Sequence, residues 1–245
     1  AVDQTGWCHE GQRYPWLESC RDRTIYHWDG AAFQPVSRYT TSLIKLVPTE
    51  WGPPTFEIDG IKMLPTATVS PWEDAGRKVS LIRPRGKVIL DTCGGLGYFA
   101  AWCLSGEASR VLSFEKNPDV IWLRSLNPWS PAAGGQVGNQ AGNQPDSRLT
   151  LTEGDIGEHI ARLPAESVDA GLHDPPRFGI AGDLYSRSFY AELARVLRRR
   201  GRLFHYTGTP NRLTSGRDVP AEVAKRLRLA GFVTELKGDG VLAIK

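Results

Sequence analysis

Lys87-Val88-Ile89-Leu90-Asp91-Thr92-Cys93-Gly94-Gly95-Leu96-Gly97-Tyr98-Phe99-Ala100 reads as a buried strand that ends in an acid and turns through glycines into a helix. Val88, Ile89 and Leu90 are apolar without alternation, as a parallel strand covered on both faces requires. Gly94, Gly95 and Gly97 permit a tight turn and a close approach of ligand to backbone. A second strand-like run, Val111-Leu112-Ser113-Phe114, ends in Glu115. That acid stands at about the 20-residue distance from which a carboxylate accepts hydrogen bonds from ribose hydroxyls. Together the two signals mark a nucleotide-type cofactor site, against the plainer reading of an ordinary strand-to-helix turn.

Gly95-x-Gly97-x-x-Ala100 also fits the dinucleotide fingerprint, which allows alanine last, so the glycines alone admit NAD. Asp91 changes the balance. An acid just before the turn suits a cationic amino group better than a pyrophosphate, and the loop lacks the Lys-Ser/Thr pair of a phosphate-binding P-loop. A cofactor without phosphates is therefore expected.

On these residues, over roughly Pro84 to Lys245, the chain resembles the class I S-adenosylmethionine-dependent methyltransferases, whose first motif runs acid-x-Gly-x-Gly-x-Gly. Asp91, Gly95 and Gly97 match, and Cys93 stands where the first glycine would be. The resemblance implies a Rossmann-like, doubly wound, mostly parallel α/β sheet with S-adenosylmethionine as cofactor. Asp91, Cys93, Gly95 and Gly97 would surround its methionine part, Glu115 and the adjacent Lys116 its ribose, and Asp155 with Ile156 its adenine. A helix cap is the competing role for Asp155, compatible with the first.

The strand Ser167-Val168-Asp169-Ala170-Gly171-Leu172 delivers His173-Asp174-Pro175-Pro176-Arg177-Phe178 to the same edge, the position of the catalytic motif in this family. Amino-methyltransferases there carry Asp/Asn-Pro-Pro-aromatic; Arg177 replaces the aromatic. Asp174 is expected to orient the acceptor and help deprotonate it, His173 to be a second candidate base, and Arg177 to stack on a base or hold an anionic group. Packing within the fold is the commoner fate of a strand-end histidine. The run Leu184-Tyr185-x-x-x-Phe189-Tyr190 resembles a second family, the spermidine synthases, which transfer an aminopropyl group from decarboxylated S-adenosylmethionine. The same aromatics also read as the core face of an amphipathic helix. The linked motifs resemble an archaeal and bacterial methyltransferase branch close to the spermidine synthases.

Alternation sets the rest: strand 87–91, helix 97–105, strand 110–115, helix 117–126, strand 148–153, helix 155–162, strand 167–172, helix 186–198, strand 201–206 and helix 218–230, a doubly wound pattern. The resemblance adds a terminal antiparallel hairpin around Gly238-Asp239-Gly240. Residues 1–80 form an N-terminal extension, irregular or β-rich to about 48, with a hairpin at 56–64 turning at Asp59-Gly60 beside the cofactor mouth; residues 81–245 form the cofactor-binding domain. Ser70-Pro71-Trp72-Glu73 starts a helix, with Ser70 as cap and Glu73 closing a capping box. Residues 130–147 read as a flexible loop, Trp129 as buried against the sheet, and one of His205 and Tyr206 as lining the pocket.

The 245 residues carry a net charge of +3 and four cysteines, two of them early. Cys8, His9, Cys20 and His27 match no common paired-ligand spacing, so no metal is assigned, and a Cys8–Cys20 disulfide stays open. No apolar run reaches the ~18 residues of a membrane span and the start lacks a secretory pattern, so a cytoplasmic location with no membrane partner is expected. Residues 161–245 hold 15 Lys+Arg against 9 Asp+Glu, which permits RNA as a polyanionic acceptor without requiring it. Arg198-Arg199-Arg200 reads as a solvated helix end, and Arg212 and Arg217 as anion contacts or solubilising groups. The acceptor, RNA or a small molecule, and a homodimer are left open.

Overall fold

A computed structural model describes residues 2–135, 142–176, 181–208 and 218–245. The chain divides into two compact units, 1–64 and 65–245. The first is built of short antiparallel strands. Val2–Asp3, Gly6–His9 and Gln12–Pro15 form one sheet, Tyr26–Trp28 and Phe33–Pro35 a ribbon, and Ser37–Tyr39, Leu43–Val47, Thr55–Ile58 and Ile61–Lys62 a four-stranded meander. Its last turn is the expected two-residue one. Asp59 (φ 49°) and Gly60 (φ 79°) are both left-handed, the geometry that matches strand twist across a tight hairpin. Trp7 stacks on Tyr14 at 4.5 Å, and Phe33 meets Trp28 edge-on at 5.1 Å.

The second unit is the doubly wound α/β body. Its seven-stranded sheet comprises β1 (Val88–Asp91), β2 (Arg110–Glu115), β3 (Leu149–Glu153), β4 (Val168–His173), β5 (Leu197–Tyr206), β6 (Val233–Lys237) and β7 (Gly240–Ile244). The order is β3-β2-β1-β4-β5-β7-β6. The first five strands run parallel and β7 pairs antiparallel with both neighbours, closing the terminal hairpin. Helices α1 (Pro71–Ile82), α2 (Tyr98–Ser105), α3 (Pro118–Ser125), α4 (Ile156–His159), α5 (Arg187–Val196) and α6 (Val219–Leu229) flank it.

Neighbouring strand residues feed opposite cores, as a period of two requires. Ile89 and Val111 pack with α1 and α2, whereas Leu90 packs with Tyr190, Leu193 and Leu227 of α5 and α6. Tyr185, Phe189 and Tyr190 are all buried there, so the aromatic run is core. Ser70 caps α1, its hydroxyl accepting from the Trp72 amide, with Pro71 first in the helix.

Three local expectations need correction. Arg198, Arg199 and Arg200 lie in the extended start of β5, not at a helix end, because α5 stops at Val196. Gly201 lets the chain turn onto β4 there, and Arg198 donates to Asp169 Oδ1 at 2.7 Å. Trp129 is 40% exposed and does not bury against the sheet. Within 130–147, Ala132–Ala133 pairs parallel with Pro145–Asp146, which gives the segment a fixed base. Among the described residues no helix is long and apolar enough to cross a membrane.

Candidate functional site

The carboxyl ends of β1 to β5 bring the chemistry-bearing residues to one edge. Asp91 closes β1 and is 1% exposed. Its Oδ2 accepts from Ser113 Oγ at 2.8 Å, while Oδ1 has no partner among the described residues. Burial raises its carboxyl to about 7, against the lowering by Ser113 and the Arg124 guanidinium.

The loop after it is held by its own amides: Gly94 N donates to Phe114 O at 2.7 Å and Gly97 N to Gly94 O at 2.8 Å. Gly95 (φ 49°) and Gly97 (φ 80°) use the left-handed conformation that glycine permits. Cys93, in the place of the first motif glycine, has no such φ, which is why a side chain is tolerated. Burial, reinforced by Glu115, pushes its pKa well up, so it is a thiol rather than a thiolate.

Glu115, at the end of β2, accepts from Gly95 N and Asn117 N, each at 2.9 Å. Burial raises its pKa, and these amides oppose the rise. A carboxylate has about four acceptor sites, so two remain after these bonds. Asp155 caps α4 through the Gly157 amide at 2.8 Å and pairs with Lys116 Nζ at 3.1 Å. Partial burial works against its ionisation, yet the amide and Lys116 hold its pKa below the usual value. Ile156 is buried beneath it.

The other half of the edge is Asp174, just past β4. Its Oδ2 meets Lys78 Nζ of α1 at 3.0 Å, and Lys78 also pairs with Asp74 Oδ2 at 2.9 Å. The Lys78 ammonium lies 3.8 Å from the centroid of the Tyr206 ring. Burial works against its charge, but Asp174 and Asp74 raise its pKa above the usual value. Tyr206 therefore faces this cluster and His205 does not.

His205 is wholly buried, with Nδ1 against Tyr206 O at 2.8 Å and Nε2 against the Tyr190 hydroxyl at 2.9 Å. His173 is equally buried, with Nε2 2.9 Å from Leu184 O and Nδ1 2.8 Å from Thr92 Oγ1. Of the two neutral tautomers, the one with the proton on Nε2 satisfies both contacts, with the Thr92 hydroxyl donating to Nδ1. Burial, with His205 beside it, pulls its pKa well down, so the structure gives His173 a packing role at the root of the edge. Arg177, Phe178, Arg212 and Arg217 lie outside the described residues.

Two residues that the motifs do not reveal stand out. Lys78 is one. The other is Arg124 of α3, 2% exposed, whose three guanidinium nitrogens have no hydrogen-bond partner among the described residues. It underlies the glycine loop: a Cβ on Gly97 would lie 2.5 Å from Arg124 Cζ. Its charge faces Asp91 and Glu115, which oppose the lowering of its pKa by burial. Both positions carry a pattern signal. Lys78 and Asp74 interleave with the buried stripe Pro71, Ala75, Val79 and Ile82, and Arg124 follows buried Val120 by one turn.

This strand order, with its antiparallel seventh strand, is the class I methyltransferase-like Rossmann fold. Solved structures share it at low identity. A spermidine synthase in complex with the transition state analogue AdoDATO matches with TM-score 0.65 and 15% identity, over 91% of this chain and 80% of that one. The spermidine synthase of Thermotoga maritima matches with TM-score 0.61 and 16% identity, over 91% and 79%. A Streptococcus mutans protein described as a SAM-dependent methyltransferase matches with TM-score 0.54 and 11% identity, over 87% and 58%. In sequence, the chain is 41% identical over 207 residues to the uncharacterized protein MJ1233 of Methanocaldococcus jannaschii, covering 82% of this chain and 66% of that protein. No family model matches.

Proposed function

We propose that the protein is an S-adenosylmethionine-dependent methyltransferase. The observation that carries this reading is the 2.9 Å hydrogen bond from Gly95 N to Glu115 Oε2, which joins the glycine turn and the ribose-type acid in one crevice. The donor set fits the cofactor. Glu115 keeps acceptor sites for sugar hydroxyls, Asp155 sits at the next strand end for the adenine amino group, and Asp91 Oδ1 is a buried oxygen beside the loop with no partner among the described residues. Lys116 steadies Asp155, and Cys93 and Gly97 shape the wall.

Bound there, the sulfonium supplies an electrophilic methyl carbon, with the carbon–sulfur electron pair leaving onto sulfur. Asp174 orients the acceptor and takes its proton, with Lys78 fixing one carboxylate oxygen and leaving the other for the acceptor. Arg177 is assigned to an anionic or planar portion of the acceptor, an amino group on RNA or a small anionic molecule. The second reading is aminopropyl transfer from decarboxylated S-adenosylmethionine, favoured by the likeness to spermidine synthase across 91% of the chain.

Paired calorimetric titrations with the two sulfonium compounds decide between them. Tighter binding of S-adenosylmethionine, weakened by Glu115→Gln, supports methyl transfer; preference for the decarboxylated compound overturns it. Methyl-labelled cofactor incubated with cell extract, then fractionated into RNA, protein and small molecules, identifies the acceptor.

A further inference from the structure

We propose that Lys78 is an intramolecular plug: its ammonium fills an alkylammonium-binding site at the acceptor edge and so reserves that edge for an uncharged acceptor group. This deepens the transferase reading above and rests on its assignment of the Asp174 side to the acceptor. Nζ is 2.9 Å from Asp74 Oδ2, 3.0 Å from Asp174 Oδ2 and 3.8 Å from the Tyr206 ring centroid. Two carboxylates and an aromatic face are the set that would recognise a primary ammonium brought by a ligand. Here the ligand is the protein's own side chain.

The plug is anchored rather than draped. Lys78 rises from the buried face of α1, fixed by Pro71, Ala75, Val79 and Ile82, and its side chain is 4% exposed. The next acids are covered as well. Arg77 donates to Asp74 Oδ1 at 2.9 Å and to Asp239 at 2.7 and 2.8 Å. Asp74, Asp174 and Asp239 each already have a cation. An incoming ammonium would have to displace Lys78 from two carboxylates at once or lie beside a like charge, and both are unfavourable. An uncharged NH or OH group needs neither.

Replacing the plug should open the site to amines in solution. In Lys78→Ala, n-propylammonium chloride raises the melting temperature more than an equal concentration of potassium chloride, whereas the wild type responds alike to both salts. Putrescine, titrated calorimetrically, binds the variant at least about tenfold more tightly than the wild type. Should Lys78→Ala fail to fold, Lys78→Met keeps the aliphatic stem and the same titration is read on it. Equal putrescine affinity in wild type and variant, or no propylammonium-specific stabilisation, overturns the assignment, as does tight putrescine binding by the wild type alone. None of these readouts involves the cofactor. Failure of S-adenosylmethionine to bind would remove the methyltransferase reading and leave the plug standing, and the converse holds.

Discussion

The two halves of the sheet edge, the proposed cofactor half and the proposed acceptor half, are built in different ways. At β1, β2 and β3 the chain uses backbone amides and carboxylates from adjoining turns: Gly95 N on Glu115, Asn117 N on Glu115 and Gly157 N on Asp155. At β4 and β5 it uses charged side chains, and the central pair, Lys78 and Asp174, comes from elements 96 residues apart. Amides are uncharged and tied to the fold, so the first half tolerates the loss of a side chain. The second half is a set of charges in which Lys78 and Arg77 serve three carboxylates, so that the loss of Lys78 leaves Asp174 without its cation.

The largest effect should therefore fall on the acceptor half. Lys78→Ala leaves Asp74 and Asp174 without their shared cation, and a stability loss of about 3–5 kcal/mol is expected by denaturant unfolding. A loss no greater than that of an exposed lysine would end the distinction between the halves.

Asp91 and His205 sharpen the contrast through opposite pH dependences. The folded Asp91 carboxyl titrates at about 7 against 3.8 without the fold, so its proton stabilises the folded state below about 4, and that contribution is lost as pH rises through 7. The span is worth up to about 4 kcal/mol. His205 titrates at about 4 when folded against 6.5 otherwise, so between these values the unfolded chain takes the proton and stability is lost as pH is lowered, by up to about 3 kcal/mol. In wild type the two nearly offset. In Asp91→Asn the losses from His205 and His173 are no longer opposed by Asp91, so melting temperature should fall more steeply from pH 7 to pH 4 than in wild type. Parallel curves would mean that Asp91 bears no cost of burial.

The way each half is built also decides how much of it can be read in the sequence. Contiguous signals marked the residues that gather in the proposed cofactor half: an apolar run, an acid, three glycines and a second acid one strand later, with Asp155 as a helix cap. The alternation of strands and helices carried the sheet. Lys78 was not legible because its partner lies on a distant strand, and a lysine in a helix usually reads as solvated. Its only mark is its place among Pro71, Asp74, Ala75, Val79 and Ile82, a stripe that pairs an acid and a base four residues apart on the buried face. Arg124 was hidden in the same way. Arg198 to Arg200 misled because a basic run before a glycine fits a helix end as well as a bulged strand, and register with β4, a tertiary property, decides between them.

Gly97→Ala probes whether the cofactor half depends on its backbone. The position is left-handed at φ 80°, and the new methyl would meet Arg124 Cζ at 2.5 Å, which the buried guanidinium must yield to. The left-handed penalty alone is about 1–2 kcal/mol. Cofactor affinity, read by calorimetry, should fall with it; an unchanged affinity would mean that the loop carries no ligand.

The smallest effect on stability is expected at Glu115. Glu115→Gln keeps the shape but offers one oxygen where two accept, so either Gly95 N or Asn117 N loses its partner, a cost of about 1 kcal/mol. The electrostatic consequence is more telling. The Glu115 charge helps to raise the Asp91 carboxyl, so its removal should move that titration below about 7, as read from the carboxyl carbon by NMR. A downward shift with near-native stability means that the two acids share one crevice whose frame is backbone. An unshifted Asp91 would separate them, and a stability loss as large as that of Lys78→Ala would make the cofactor half a charge network like its neighbour.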